Sequence, residues 1–482
     1  MPPRAVWRPP WYAWVIAWLA ILALAYKFGQ ERLHHGSLAL LWPPLAGAGV
    51  LGVRKLWHLP PSITMCIAIA LSLFSGGWGM MGLGGIPLDR VAIVILLAQL
   101  LLLAPGVART PRLRLRNVHL LLAIAILYAL GSAVAAHTIG NGADLLALID
   151  QFGVTPYLAF LLAPSVFAHE RDRNLLLGLL VAIGAYLGTT AIFESLGPHA
   201  LVFPRYIVHV DAALPEGRAG GPFQSPVSNG FSTFACGVAA CMALTRWRGA
   251  WARAFAVFAL VVCMYGCFLT LERGVWIAAM AGTAAAALVT RRGRRLVAPA
   301  ACTCALVIGG GLTLSPALAS KVSGRVGYKV SVWDRENQTA AGLRMVAAKP
   351  LLGFGWQRFI SDNQEYFRQA SSYPMTGYST PERPIPLHDT YLAYAVELGL
   401  VGLALWLASI AWGLGGAVFG SADVGLRPWK LGLLAVSVFF LVVAVFDPQP
   451  QPFPELLLWS WGGVALGVLP RRRRHAPASG LA

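Results

Sequence analysis

Charge is the scarcest property of this chain. Only 12% of its 482 residues are Asp, Glu, Lys or Arg, against about 25% in a soluble domain. Acidic residues are rarer still, 20 against 38 basic ones. That is too little charge to coat a water-soluble surface around a body that is 57% hydrophobic. Cysteine is sparse as well. Cys66, Cys236, Cys241, Cys263, Cys267, Cys302 and Cys304 all fall inside apolar runs, and none has CxxC spacing. This speaks against a disulfide framework and against a metal site. No Gly-rich phosphate loop of the ATPase type occurs, and the loops on the basic side are too short for a nucleotide-binding domain, which argues against ATP hydrolysis. No small-residue cleavage site follows the first apolar run at 11–28, so that run reads as a span rather than a removed signal peptide. No convincing internal repeat is present.

What the chain does have is apolar runs of bilayer-crossing length, about 17–25 residues for a core of roughly 30 Å. Inside lipid the backbone must satisfy its own hydrogen bonds, so these runs read as helices. Fourteen candidates lie at 11–28, 36–53, 62–84, 91–106, 118–136, 156–168, 175–196, 230–245, 252–271, 274–290, 296–314, 390–417, 431–447 and 455–469. Two are short, 156–168 and 455–469, so twelve spans fit as well; both counts are even. The expected fold is an all-α polytopic membrane protein of about 12–14 transmembrane helices.

Charge orients the spans. With the N-terminus inside, the cytoplasmic loops collect Arg4 and Arg8, Arg54 and Lys55, Arg109 to Arg116, Arg171 and Arg173, Arg246 to Arg253, Arg291 to Arg295, Arg427 and Lys430, and Arg471 to Arg474. Together these are 23 of the 38 basic residues; 9 of the other 15 sit in one long outer loop, 315–389. Long loops are exempt from the rule, so both termini are expected in the cytoplasm. The division is helices 1–11 over 1–314 with an outer loop at 197–229, the large loop 315–389, the last helices over 390–470, and a basic tail at 471–482. The net charge of +18 is mostly this topology signal. Basic residues scattered over separate short loops do not form a nucleic-acid surface.

The large loop contains "SVWDRENQTAAGLRMVAAKP", which reads as a helix with a Pro stop. The next segment, "LLGFGWQRF", reads as a turn dipping apolar side chains back to the membrane interface. The remainder, "SSYPMTGYSTPERPIPLHD", reads as a mobile cover.

Four polar clusters fall at or near the outer face. They are Arg218 in "GRAGGPFQSPVSNG", Glu272 and Arg273 in "LERGVW", Arg344 in "RMVAAKPLLGFG", and His388 with Asp389 in "PLHDTYL". Each has a structural alternative. Arg218 reads equally as a residue of a Gly-rich turn, Arg273 as an arginine snorkelling to headgroups, and Glu272 as its ion-pair partner. Arg344 reads also as a solvated helix residue and Asp389 as the N-cap of the span that follows. Glu397, deeper in that span, requires a partner or a water-filled cleft. As a set the four suggest more. Two or three arginines at a lipid surface can hold a diphosphate, because the guanidinium fork matches phosphate oxygens. A helix start just after His388 would add dipole and N–H groups, and a neutral imidazole can take a proton from an attacking hydroxyl. Such a set suits displacement at a sugar carbon whose leaving group is a lipid diphosphate.

In order, "LERGVW", "LRMVAAKPLLGFGWQRF" and "HDTYLAYAVELGLVG" resemble the shared core of the O-antigen ligase and O-antigen polymerase superfamily. Its pattern is an S-R-G-like step at a helix start, an R…P-x-x-G-x-G segment, and H-N-x-x-L followed by E-x-G-x-x-G. The resemblance covers about 130 residues, Arg273 to Gly402. Two positions depart from it: Glu272 stands where a small hydroxyl residue is common, and Asp389 where Asn usually follows the histidine. The resemblance implies a GT-C-type membrane glycosyltransferase of the bacterial inner membrane with a periplasmic site. Its donor would be an undecaprenyl-diphosphate-linked O-antigen and its acceptor lipid A–core. It also implies an inverting reaction without metal or other cofactor. Residue by residue, Arg273 and Arg344 match the diphosphate-binding arginines, His388 the essential histidine, and Arg218, more loosely, an arginine of the Gly-rich segment. A polymerase acting on lipid-linked repeats shares these motifs, as does the protein O-oligosaccharyltransferase. A transporter of lipid-linked glycan is the alternative from another class, but repeat symmetry expected of transporters is absent.

Overall fold

A computed structural model describes residues 52–53, 55–78, 80–81, 88–102, 113, 115–209, 217–290, 313, 316–327, 330–368, 387–420, 424–446 and 452–468. Its principal helices are α1 (Pro61–Ser72), α2 (Leu88–Leu102), α3 (Asn117–Ala135), α4 (Gly142–Val166), α5 (Glu170–Leu196), α6 (Pro226–Arg246), α7 (Ala250–Leu269), α8 (Arg273–Val289), α9 (Pro316–Gly327), α10 (Val330–Ala348), α11 (Thr390–Phe419), α12 (Arg427–Val443) and α13 (Pro452–Leu466). No strand occurs among the described residues. Seven described helices are long and apolar enough to cross a membrane: α3 to α7, α11, and Val424–Val443, which contains α12. The protein is an all-α polytopic membrane protein. The expected spans 11–28, 36–53 and 296–314 lie outside the described residues, save Gly52, Val53 and Thr313. So do 371–386 of the expected cover and the basic tail.

Two helices depart from the lengths read in the sequence, each for a local reason. The short run at 156–168 belongs to α4, which starts at Gly142 with Asn141 accepting a hydrogen bond from the Ala143 N–H. Asp144 and Asp150 interrupt the apolar pattern there, and Arg90 neutralises Asp150 in an ion pair. The run at 62–84 stops as a helix at Ser72, and turns follow. Ser and Gly in "SLFSGGWG" are weak helix formers, and Gly77 lies against the Tyr206 ring.

Lipid offers no hydrophobic drive between helices, so small residues set the close approaches. A Cβ on Gly188 of α5 would stand 2.8 Å from the Cys263 amide nitrogen of α7. Those two helices therefore pack backbone to backbone. Aromatic rings fill the wider gaps, among them Phe160, Trp429, Phe439 and Trp461, all nearly fully buried.

The contacts between loops sort into two ends. At one end Ser62 donates to Asp172, Arg246 pairs with Glu170, and Arg116 donates to the Gly467 carbonyl. At the other, the Arg90–Asp150 pair, the end of α5, the starts of α6, α8 and α11, and helix α10 come together. This second end is the one for which the charge pattern sets the expectation of an outer face.

The feature that shapes the second end is a break in α11. Gly399 leaves helical backbone (φ 69°, ψ −179°), a conformation that favours glycine. The break frees backbone groups that lipid could not satisfy, and the turn "PLLGFG" satisfies them. Phe354 N–H donates to the Val396 carbonyl at 2.9 Å and Gly355 N–H to that of Glu397 at 2.8 Å. In return Leu400 N–H donates to Pro350 at 2.8 Å and Val401 N–H to Leu351 at 3.3 Å. Tyr128 of α3 donates to the Leu398 carbonyl at 2.8 Å. The approach is so close that a Cβ on Gly353 would lie 2.5 Å from the Gly399 nitrogen. The expectation for "LLGFGWQRF" is a turn dipping apolar side chains back to the membrane interface. Leu351 and Leu352 are exposed, but Trp356 is 1% exposed and its indole donates to the Asp144 carbonyl of α4.

Candidate functional site

Helix α10 lies across the second end and presents two different stripes. Val332, Arg335, Glu336, Thr339, Ala340 and Leu343 follow the i, i+3, i+4 rhythm of one helix face and line an open groove of about 540 Å³. Arg273, Gly274 and Ile277 of α8 form the opposite wall, and Phe446 closes it. The size is that of a small-ligand cleft, about 300–1,000 Å³. Arginine at one part of the lining and aliphatic side chains over the rest make the groove amphipathic. The other stripe of α10 (Gln338, Ala341, Gly342 and Met345) is buried against α11 and the residues before it.

Arg273 stands at the groove because α7 reverses into α8 almost without linker. Leu271 takes left-handed backbone (φ 49°), unusual for a side chain of its size, and Trp276 pins the corner by donating to the Phe268 carbonyl at 3.1 Å. The Arg273 side chain makes no ion pair or hydrogen bond among the described residues. Glu272 precedes it as the N-cap residue, but its side chain does not cap α8. Instead the carboxylate, 3% exposed, binds Arg218 closely and lies 3.6 Å from Arg335. Glu272 therefore ties the Gly-rich loop, the start of α8 and α10 together.

The Gly-rich loop that carries Arg218 is itself held from several sides. Glu194 at the end of α5 accepts from the Gly220 and Gly221 N–H groups, each at 2.9 Å. Ala219 N–H donates to the Leu269 carbonyl, and Asn229 donates back to the Ala219 carbonyl. Tyr206 donates to the Pro222 carbonyl at 2.8 Å, and burial pushes that hydroxyl above the ordinary tyrosine pKa. Arg218 also donates to the Thr270 carbonyl.

His388 meets the buried stripe of α10. Its Nδ1 lies 3.0 Å from the Gln338 Oε1. Asp389 caps α11: its Oδ1 accepts from the Tyr391 N–H at 2.9 Å and the Leu392 N–H at 3.1 Å. Of the two readings of Asp389 in the sequence, a site residue beside the histidine or the N-cap of the span, the geometry shows the cap. The N–H groups expected to be free after His388 are thereby occupied. The starts of α8 and α11 nonetheless share one support. Thr390 N–H donates to the Ala444 carbonyl, and Gly274 packs on Phe446 two residues further along.

Of the candidates Arg218, Arg273, Arg344 and His388, Arg273 alone lines the groove, and Arg344 is held apart from it. Nine residues beyond Arg335, it stands on the opposite side of α10 and roughly 13 Å further along its axis. Its guanidinium donates to the Tyr366 carbonyl at 2.9 Å, outside the lining of the groove. Glu397 finds its partner in the inserted turn, where its carboxylate faces the backbone of Gln357 and Phe359. Three residues escaped the sequence reading: Glu194, Arg335 and Gln338. Arg335 and Gln338 lie in the quoted helix "SVWDRENQTAAGLRM". Their separation by three positions was the available signal, since i and i+3 are neighbours on a helix. Nothing in sequence marks Glu194, because its partners are backbone groups 26 and 27 positions away.

Removing the Glu272 carboxylate leaves a nearly buried guanidinium without its counter-charge. Breaking such a pair costs roughly 3–5 kcal/mol. Glu272→Ala is therefore expected to lower the thermal midpoint of the detergent-solubilised protein clearly, and Glu272→Ala combined with Arg218→Ala to lower it less than Glu272→Ala alone. A midpoint equal to wild type in Glu272→Ala would contradict the hub role.

Residues 258–407 match the family described as O-antigen ligase. The matched region runs from within α7 to beyond the break in α11. It contains Glu272, Arg273, Arg335, Gln338, Arg344, His388, Asp389 and Gly399, and leaves out Arg218. No curated protein matches the chain.

Proposed function

We propose, from the match of residues 258–407 to the family described as O-antigen ligase, that the chain is an O-antigen ligase. It transfers a glycan from undecaprenyl diphosphate to lipid A–core on the periplasmic face of the inner membrane. The observation that carries this reading is the amphipathic groove between α8 and α10. Arg273 and Arg335 bind the diphosphate there, while Ile277, Val332 and Leu343, all exposed, border the lipid chain. The first N–H groups of α8, left without a side-chain cap, add partial positive charge at the same place. Arg218 acts through Glu272, the carboxylate it shares with Arg335. Arg344 fixes the segment around Tyr366.

In the reaction, the acceptor hydroxyl gives its proton to the imidazole of His388 as its oxygen attacks the anomeric carbon. The bond from that carbon to the diphosphate oxygen breaks, and the electron pair leaves with the diphosphate. Guanidinium groups stabilise the charge that develops on the leaving group. Arginine forks do this more effectively than ammonium groups, because they meet two oxygens at once.

Purified protein supplied with undecaprenyl-diphosphate glycan and lipid A–core, without nucleotide and with chelator, is expected to form the conjugate. Longer lipid-linked glycan in place of conjugate would assign the chain to polymerisation, and movement of donor without a new glycosidic bond to transport. Arg273→Ala removes a charge-assisted contact of roughly 1.5–3 kcal/mol, about a 10- to 100-fold loss in kcat/KM for the donor. Arg273→Lys should restore only part of it.

A further inference from the structure

We propose that Glu336 and Thr339 form a sugar subsite in the groove, binding hydroxyl groups of the saccharide that the diphosphate carries. This rests on the reading of the groove as the donor site, and it concerns the part of the donor that the arginines do not bind.

Glu336 and Arg273 line the same groove, yet neither side chain makes an ion pair or hydrogen bond among the described residues. Opposite charges that face one cleft without meeting leave the space between them to a ligand. Arg335 is next to Glu336 in sequence, but consecutive residues of a helix do not face each other, and its guanidinium lies 3.6 Å from Glu272 instead. Thr339 follows Glu336 by one turn on the same stripe. It is exposed, and its hydroxyl has no hydrogen-bond partner among the described residues. Residues three apart on a helix hold their Cβ atoms about 5–6 Å from each other, close to the breadth of one sugar ring. Glu336 itself is half-buried, so its carboxylate is partly withdrawn from water.

A bare diphosphate offers a carboxylate in this groove nothing to accept and repels it. A sugar diphosphate suits both charges. Its phosphate oxygens accept from guanidinium, its hydroxyls donate to the carboxylate, and the threonine hydroxyl can do either. Hydrogen bonds to an ionised partner are the strong ones. The first sugar, joined directly to the diphosphate, is the one within reach of a carboxylate at the level of Arg335. Such a pair also provides selectivity, because a site built to hydrogen-bond a hydroxyl strongly rejects an analogue that lacks it. Neither residue stands in the four polar clusters of the sequence. Both lie inside "SVWDRENQTAAGLRM", where only the packing of α10 against α8 shows which face meets the groove.

The test compares two labelled probes on the full-length protein: undecaprenyl diphosphate bearing its native glycan, and undecaprenyl diphosphate alone. Transfer kinetics are measured alongside. Wild type is expected to bind the glycan-bearing lipid more tightly. Glu336→Ala should weaken that binding roughly 10- to 100-fold, the loss of a hydrogen bond to a charged group, and leave the bare lipid unchanged or slightly tighter. Thr339→Val should cost the glycan-bearing lipid about 2- to 10-fold. Glu336→Gln keeps an acceptor oxygen without the charge and should fall between wild type and Glu336→Ala. Equal binding of the two probes by wild type overturns the subsite, as does equal weakening of both, or of neither, in Glu336→Ala. Unchanged binding with lost kcat also overturns it, by placing Glu336 in the chemical step. Loss of glycan-bearing lipid from wild type on chelation overturns it too, by making Glu336 a cation ligand. If Glu336→Ala does not fold, Glu336→Gln and Thr339→Val decide. Arg273→Ala separates the two levels, since it should weaken both probes. If it weakens neither, the groove is not the donor site and both readings fall. If it weakens both while the Glu336 and Thr339 variants bind as wild type, only the subsite falls.

Discussion

His388→Ala is expected to lower transfer by roughly 10²–10⁴-fold, the usual contribution of a positioned general base, while donor binding stays near wild type. The separation follows from where the groups sit. The groove that would take the diphosphate is lined by Arg273 and Arg335, whereas His388 contacts the other stripe of α10 at Gln338. Truncating the imidazole leaves the groove walls in place. It also leaves the α11 cap intact, because that cap is made by Asp389. The measurement is conjugate formation alongside binding of labelled undecaprenyl-diphosphate glycan. Wild-type transfer in His388→Ala would remove the base from the mechanism. Equal loss of binding and transfer would recast His388 as a donor ligand.

Gly399→Ala is expected to produce the largest loss of stability among single methyl additions in α11. The new Cβ would be forced into left-handed backbone, a strain of about 1–3 kcal/mol. It would also press on the Leu351 carbonyl and lie 2.6 Å from the Leu352 nitrogen, backbone atoms that cannot swing aside. Overpacking of this kind adds about 1–3 kcal/mol, so a total near 4 kcal/mol is expected, large for any point change. Gly416→Ala is the internal control, since a Cβ there meets nothing within 4 Å and alanine is the better helix former. Thermal unfolding in detergent should show a marked drop for Gly399→Ala and little change for Gly416→Ala. Equal midpoints would mean that the inserted turn does not depend on Gly399.

Much of the architecture is legible in the residues. Long apolar runs with few charges must be helices in lipid, and the described helices follow the expected spans wherever the runs are uninterrupted, as in α3, α5, α6 and α7. The misjudged lengths occur where polar or glycine residues change the local pattern. Asp144 and Asp150 hid the first turns of α4, since nothing in the run shows that Arg90 would neutralise one of them. Of the candidate site, the residue types and their order along the chain were legible, but their mutual contacts were not. Arg218 and Glu272 are 54 positions apart and Gln338 and His388 are 50 apart. No periodicity reports contacts across such separations.

The sequence by itself determined that this chain lives in a bilayer as a helical bundle, which loops share an end, and that arginines and a histidine collect at one of those ends. Lipid solvation and charge asymmetry act on local composition, so local composition carries that information. Only the tertiary structure decided how the residues divide their work. It spent Arg218 on Glu272, sent Arg344 to the far side of α10, gave Asp389 to the helix cap, and set Gln338 against His388. It also gave the Pro-Leu-Leu-Gly-Phe-Gly turn and the break at Gly399 a common purpose, each supplying the hydrogen bonds the other lacks. Those outcomes depend on which surfaces meet when helices pack, and that is a property of the whole bundle rather than of any one segment.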